Sequence, residues 1–459
     1  MVEVPVGLSA RLRAHGQEHL LTGWSALSAE QRHGFVKQLE RVDFAELVRL
    51  FARRDESQTH FDPSAVTPIA VEDASPVDAE TLKLGEDCLR RGEVAVLVVA
   101  GGQGTRLGFD KPKGLFPVGP VSGASLFRLH AEKVYALSRK YGAAVPMLVM
   151  TSAATTVDTR AFFTEHDNFG LPPGDVTFFE QGTMPALDAA TGRLLLTAPG
   201  ELNLSPNGHG GTLTALADTG LLAVLKARGV KHVFYFQVDN ALVDLAAPGF
   251  VGRHVATNSD ASTKVVDKTR PDEKVGVLAL IGGKCGIVEY SDLPAELADA
   301  RDANGELLHR AGNTAIHLFS VAFLERVTQG TQRLAYHLAR KKVPLYDPKT
   351  GATVKPTAEN ALKFELFVFD ALPLAERWLT VRARREDEFA PLKNATGADS
   401  PEAVRAALSD FHARRLRAVG VEVAEGVPVE IAPLFALTDA ELREKIPAGT
   451  RVVVPTMFE

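Results

Sequence analysis

The stretch that decides the fold runs from Val94 to Gly119, VAVLVVAGGQGTRLGFDKPKGLFPVG. Its opening residues Val94, Val96, Leu97, Val98 and Val99 are apolar and mostly β-branched, and the run stops at Ala100-Gly101-Gly102. Hydrophobic on both faces and bounded by glycines, it predicts a central strand buried on both sides. The loop behind it carries Gly104, Gly108 and Gly114, Thr105, and the cations Arg106, Lys111 and Lys113, with Arg128 further on. Glycines directly after a strand let backbone N–H groups approach an anion with no Cβ in the way. A polyphosphate is the natural guest.

Two familiar phosphate motifs do not fit this loop. A dinucleotide fingerprint needs G-x-G-x-x-G, but Leu107 stands where the third glycine belongs, after Gly102 and Gly104 and before Gly108. A P-loop needs glycine, then lysine, then a hydroxyl residue; Lys113-Gly114-Leu115 reverses the order and has no hydroxyl. The plain alternative is a glycine-rich turn with surface lysines, and the cations clustered behind the glycines count against it.

Two further clusters suit the same chemistry. Ser205-Pro-Asn-Gly-His-Gly-Gly-Thr212 leads into a helix expected near Leu213. Its Gly208, Gly210 and Gly211 suit close approach to a ligand, and a helix N-terminus favours an anion; an ordinary loop and helix start is the alternative. Val233-Phe-Tyr-Phe-Gln-Val-Asp-Asn240 reads as an apolar strand ending in a carboxylate. Open α/β sheets bind ligands at that edge, so Asp239 is a candidate ligand for Mg2+, a hard cation that bridges phosphates. Asp239-Asn240 also has the form of a turn or helix cap.

The glycine loop resembles the signature of the UDP-sugar pyrophosphorylases, most closely the UDP-N-acetylglucosamine pyrophosphorylase branch. The family pattern is an apolar strand, A-G-G-x-G-T-R-L-G, then P-K-G; here these are Ala100 to Gly108 and Pro112-Lys113-Gly114. The resemblance continues in order to about Ala395. It implies that Val99, Ala100, Gly101, Gly102, Gly104, Thr105 and Lys113 hold UTP, with Gln181, Gly208, Gln237 and Lys363. Gln181 lies in Phe178-Phe-Glu-Gln-Gly182, and its amide offers a donor and an acceptor to a pyrimidine edge. By the same resemblance Asp239 in V-D-N binds the metal. Glu289 and Tyr290 in V-E-Y-S, Asn313 in A-G-N, His209 and Lys393 face the sugar phosphate; Lys393 ends the run Arg385-Glu-Asp-Glu-Phe-Ala-Pro-Leu-Lys393. His209 departs from the asparagine of the N-acetylglucosamine branch and matches the G-H-G of the glucose-1-phosphate branch.

The implied reaction joins UTP to a sugar-1-phosphate, giving UDP-sugar and pyrophosphate. A sugar-phosphate oxygen attacks the α-phosphorus in line, and the nucleophile is already an anion. The protein must supply alignment and charge neutralisation, a role for Arg106, Lys113, Lys363 and Lys393 with Mg2+. N-acetylglucosamine-1-phosphate is the favoured sugar, with glucose- or galactose-1-phosphate as the alternative that His209 supports. A remote alternative is an NAD-dependent oxidoreductase, against which Leu107 counts. A non-catalytic nucleotide-sugar sensor would not need Arg106, Lys113 and Asp239 together.

Composition bounds these readings. At 459 residues the chain exceeds the usual single-domain size. A formal charge of -6 argues against broad nucleic-acid binding. Cys88 and Cys285 are too few for a disulfide framework. With no long apolar run and no signal pattern at the N-terminus, no membrane partner is expected and the cytoplasm is the default. The oligomeric state is not legible.

The expected fold is α/β: a Rossmann-like, mostly parallel mixed-sheet nucleotidyltransferase core with a helical N-terminal region and a small C-terminal α+β domain. The divisions are 1–90, 91–383 and 384–459. Helices are expected over Ser9–Leu21, Ser28–Phe51, Asp78–Arg91, Leu126–Tyr141, Thr212–Arg228 and Pro401–Val419, with Ser28-Ala-Glu-Gln31 as a capping box. Ser57–Pro76 reads as a polar connector. Core strands are expected over Val94–Ala100, Pro146–Thr151, Val176–Phe179, Val233–Val238 and Thr263–Lys268, and short C-terminal ones over Val421–Val423, Val429–Ile431 and Arg451–Pro455.

Overall fold

Eight strands form the path of the principal sheet: β1 (Glu72–Asp73), β2 (Val94–Val99), β3 (Met147–Thr151), β4 (Val176–Glu180), β5 (His232–Gln237), β6 (Ala261–Asp267), β7 (Ala311–Ser320) and β8 (Trp378–Arg382). The computed structural model describes residues 4–56, 62–329 and 334–459. The strands lie in the order β1-β8-β6-β7-β5-β2-β3-β4. Only β7 runs against its neighbours, β5 and β6; the other five pairings on the path are parallel. The mostly parallel α/β architecture is therefore the one expected.

Strand β2 sits inside this sheet because nothing on it needs water. Val94, Val96 and Val98 are fully buried in the main core, with Phe234 and Phe236 of β5 and Phe127 and Leu126 of the helix Leu126–Tyr141. Each such side chain contributes about 1.5–3 kcal/mol by leaving water. From β2 the chain winds outward through β3 and β4, then returns to β5 on the other side of β2. The gap between β2 and β5 is thus a topological switch point, where loops leaving the carboxyl ends of the strands diverge and leave a crevice. Val99 pairs with Gln237 across it.

The chain separates into two compact units, both discontinuous in sequence. The first holds residues 1–60, 181–212 and 334–368; the second holds 61–180, 213–333 and 369–459. In the first, helices Val6–Ala14, Ala29–Glu40 and Phe44–Ala52 share a core with Leu187, Leu196, Leu202, Leu362 and Phe364. Its small sheet pairs Ala361–Glu365 with His337–Lys341 and with Leu187–Asp188. The second contains the principal sheet and the C-terminal helix Pro401–Ala418, followed by the short parallel pairs Glu422–Val423 with Arg451–Val452 and Val429–Ile431 with Thr456–Phe458.

Several expectations are refined. The capping box at Ser28 and Gln31 is present, but the helix expected over Ser28–Phe51 breaks before Asp43, which caps a second helix. Ser9–Leu21 is a shorter helix, Val6–Ala14, and a turn of 3-10 helix. Thr212–Arg228 is two helices, Gly211–Asp218 and Leu221–Ala227, because Gly220 takes φ +72° between them. Of the connector Ser57–Pro76, residues 57–61 lie outside the described residues. Val66–Pro68 pairs with Val277–Ile281, and Glu72–Asp73 is the edge strand β1. Arg451–Pro455 is interrupted after Val452, and pairing resumes at Thr456.

Candidate active site

In the second unit, the glycine loop and the end of β5 meet at the switch point. Lys113 Nζ donates to Asp239 Oδ2 at 3.1 Å. The loop reaches that position through its own backbone: Gly104 N–H donates to Lys111 O, and Lys113 N–H donates to Gly102 O. Ser152, just past β3, donates from its hydroxyl to Gly101 O at 2.8 Å. Glycine is required at Gly104, where a Cβ would lie 2.8 Å from Phe109, and at Gly114, where it would enter the Phe127 ring. At Gly102 a Cβ would meet nothing within 4 Å. Arg106 is exposed on the single turn Thr105–Leu107.

Asp239 is also held from below. Its carbonyl accepts from Leu392 N–H at 2.9 Å, one residue before Lys393. Asn240 is the structural half of the V-D-N motif. Its Nδ2 donates to Glu388 O at 2.8 Å, and its Oδ1 accepts from Ala390 N–H at 3.0 Å. Lys393 lies over the Phe389 ring at 5.7 Å. Burial raises the Asp399 carboxyl above the usual carboxylate range, opposed by the positive charge of Lys393. Asp239 and Lys393 are therefore carried by two backbone segments bonded to each other.

Elsewhere in this unit, Glu289 and Asn313 converge on Gly276. Asn313 N–H donates to Gly276 O at 2.8 Å, and a Cβ on Gly276 would lie 2.9 Å from Glu289 Oε1. Asn313 Oδ1 accepts from Ala315 N–H, so part of its amide is used locally. Tyr290 is 48% exposed beside Glu289.

The first unit holds Gln181, Gly208, His209 and Lys363. Lys363 sits on the strand Ala361–Glu365, opposite Ala339. Gly208 takes φ +83°, and a Cβ there would lie 2.5 Å from Leu366 O. At Gly210 a Cβ would strike the backbone of Leu366 and Phe367; at Gly211 it would strike Asn207 Oδ1. His209 Nδ1 accepts from Val368 N–H at 3.2 Å, and its ring stacks on Phe367 with centroids 5.3 Å apart. An accepting Nδ1 places the proton of the neutral ring on Nε2.

Sequence reasoning missed Ser152, Asn240 and Glu388 as supports of these loops. Ser and Asn after a strand are such common turn residues that nothing in the string marked their partners. Cys88 and Cys285 are both buried, and burial pushes both thiols up to about 12, so neither is a reactive nucleophile. Among the described residues no group of three or more His, Cys, Asp or Glu could hold a metal ion. Asp239 alone still fits magnesium, which is commonly bound by one or two carboxylates plus substrate phosphates and water.

Comparison with known proteins identifies the family. The family model described as UTP–glucose-1-phosphate uridylyltransferase matches residues 42–408. The UDP-N-acetylglucosamine pyrophosphorylase of Saccharomyces cerevisiae is 36% identical over 452 residues, covering 94% of each chain. The UDP-N-acetylhexosamine pyrophosphorylase-like protein 1 of Homo sapiens is 39% identical over 428 residues, 88% of this chain and 84% of that one. Among solved structures, the uridine diphosphate N-acetylglucosamine pyrophosphorylase of Trypanosoma brucei superposes with a TM-score of 0.81 at 28% identity, covering 99% of both chains.

Proposed function

The chain belongs to the UTP–glucose-1-phosphate uridylyltransferase family, and we propose that its preferred sugar substrate is N-acetylglucosamine-1-phosphate. The reaction class is that of the family: UTP and a sugar-1-phosphate give UDP-sugar and pyrophosphate. The observation that carries the site reading is the Lys113–Asp239 contact of 3.1 Å at the β2/β5 switch point. It sets a cation and a carboxylate side by side where a polyphosphate would lie against the glycine loop.

For the sugar, two observations weigh together. The relatives named above carry N-acetylglucosamine or N-acetylhexosamine in their names. His209, the residue that pointed to glucose, has Nδ1 engaged by Val368 N–H and its face against Phe367. A side chain anchored to its own fold is a weaker mark of sugar choice than one directed at the substrate. Gln181 and Gly208 on the first unit are assigned to uridine, and Glu289, Tyr290, Asn313 and His209 to the sugar.

Catalysis then rests on placement and charge. The sugar-phosphate oxygen is already anionic, so no side chain has to remove a proton. Lys113 and Arg106 would take charge developing on the departing pyrophosphate, Lys363 would hold UTP, and Lys393 would receive the sugar phosphate. A magnesium ion held by Asp239 and phosphate oxygens would neutralise part of the same charge. With phosphates bound, Lys113 would exchange its carboxylate partner for a phosphate oxygen.

No helix among the described residues is long and apolar enough to cross a membrane. The deciding experiment measures pyrophosphate release with UTP across a panel of sugar-1-phosphates. We expect the highest kcat/KM with N-acetylglucosamine-1-phosphate. A higher value with glucose- or galactose-1-phosphate would overturn the sugar assignment and leave the reaction class standing.

A further inference from the structure

A buried cluster of charges lies behind the loops that carry Asp239 and Lys393. Lys264 on β6 and Glu388 form an ion pair at 2.8 Å, with side chains only 4% and 8% exposed. Glu388 Oε1 also accepts from Asp244 N–H at 3.0 Å, and Lys264 Nζ donates to Asp244 O at 3.4 Å. From the helix Leu126–Tyr141, Lys133 Nζ donates to Ala241 O at 3.0 Å and to Val243 O at 2.8 Å. Three charged side chains thus bond the backbone of one irregular segment, 241–244. Buried carbonyls and N–H groups outside regular structure need such partners.

The same segment continues into the site. Ala241 N–H donates to Ala390 O, Asn240 bridges Glu388 and Ala390, and Leu392 N–H donates to Asp239 O. Residues 239–244 and 388–393 therefore form one bonded pair of segments, with Asp239 and Lys393 at its active end and the charges at its other end. Ordinary packing does not close that other end. A cavity of about 590 Å³ lies against it, bordered by Lys133, Asp244, Glu388 and Arg415. Burial pushes the Glu388 carboxyl up to about 7 against the pull of Lys264, and brings Lys133 down to about 8. A buried ion pair is weak evidence for stability, because desolvation offsets most of its attraction. Its directional bonds still fix geometry.

We infer that Glu388, with Lys264 and Lys133, is a positioning device that fixes Asp239 and Lys393 relative to each other for uridylyl transfer. None of the three is assigned to substrate. The inference rests on the roles proposed for Asp239 and Lys393. A displacement of about 1 Å in aligned reacting groups can cost about 10² in rate.

The test uses the full chain and three readouts: kcat, KM for UTP, and the magnesium concentration at half-maximal rate, each normalised to the folded fraction. Glu388→Gln keeps the shape and the acceptor for Asp244 N–H but removes the ion-pair partner of Lys264. It should lower kcat by about 10²-fold and raise the magnesium requirement, with KM for UTP little changed. The double variant Glu388→Gln with Lys264→Met removes the stranded ammonium, so it should recover stability without recovering kcat, and it decides the matter if the single variant does not fold. Glu388→Asp, which keeps the charge on a shorter arm, should fall between. Parental kcat and magnesium dependence in the folded double variant would overturn the inference. Asp239→Asn and Lys393→Ala are run alongside. If both stay fully active, the site reading itself fails and the inference falls with it, a result distinct from loss of activity in these two alone.

Discussion

The two glycine-rich loops look alike as strings and differ in what crowds their glycines. In the loop after β2, Gly104 and Gly114 are crowded by Phe109 and Phe127, but a Cβ on Gly102 or Gly108 would meet nothing within 4 Å. In the loop 205–212, a Cβ on Gly208, Gly210 or Gly211 would collide with Leu366, Phe367 or Asn207 of the same unit. The first leaves room beside a cation and a carboxylate; the second is pressed against its own strand Ala361–Glu365 and the residues after it. A run of glycines can therefore mean clearance for a ligand or clearance for the chain itself. Only the neighbours decide which.

The loop after β2 should be governed by charge, and breaking its charge pair gives the largest effect. Asp239→Asn keeps shape but loses the charge a hard cation needs, so magnesium-dependent turnover should be abolished while the melting temperature stays near the parent's. Lys113→Ala should lower kcat by about 10²–10³, more than it weakens UTP binding, because the cation matters most as charge moves to the leaving group. The two residues are in contact, so their effects should not add: the double variant should be scarcely worse than Asp239→Asn alone. Steady-state kinetics over a magnesium titration, with thermal melts, checks both. A melting temperature far below the parent's in Asp239→Asn would make the carboxylate a structural group.

A matched pair of substitutions tests the contrast itself. Gly208→Ala must place an L side chain at φ +83° with its Cβ 2.5 Å from Leu366 O. The backbone strain and the overlap together should cost about 2–4 kcal/mol of stability. Gly102→Ala has no such conflict and should leave stability within about 0.5 kcal/mol, while raising KM for UTP if backbone approach to phosphate is the purpose of that loop. Denaturant melts and UTP kinetics on the two variants should give opposite patterns. Equal destabilisation would erase the distinction.

What the sequence revealed follows the same division. Strand β2 and its loop were legible because a two-faced apolar run has one good place in an α/β protein, and the sheet around it followed. The helix break at Gly220 was missed because the apolar spacing of Leu213, Leu216, Leu222 and Leu225 runs across it, and only the φ of +72° shows the turn. The supports of the site were illegible for a different reason. Asn240 bonds residues 148 and 150 positions away, and Lys264 on β6 pairs with Glu388 beyond β8. Non-local polar contacts leave no period in a string. The crowding of Gly208 and Gly210 was equally invisible, since it belongs to Leu366 and Phe367.

The smallest expected effect concerns His209, which sits in the crowded loop yet stood out as a sugar contact. Val368 N–H occupies Nδ1 and Phe367 covers one face, so much of the ring is already engaged by its own fold. Asparagine is shorter and carries a donor and an acceptor on one amide. In His209→Asn the anchor to Val368 weakens and the stacking on Phe367 is lost, which should lower kcat/KM modestly for every sugar-1-phosphate. On top of that, the ratio for N-acetylglucosamine-1-phosphate over glucose-1-phosphate should rise, but by less than about tenfold, the low end of what one such contact supplies. Specificity constants for the two sugars, measured at saturating UTP, separate the two contributions. A ratio shift approaching two-hundredfold would show that position 209 addresses the sugar with its full hydrogen-bonding capacity. An equal loss for both sugars would make His209 an anchor only, and the choice of sugar would rest with Glu289, Tyr290 and Asn313.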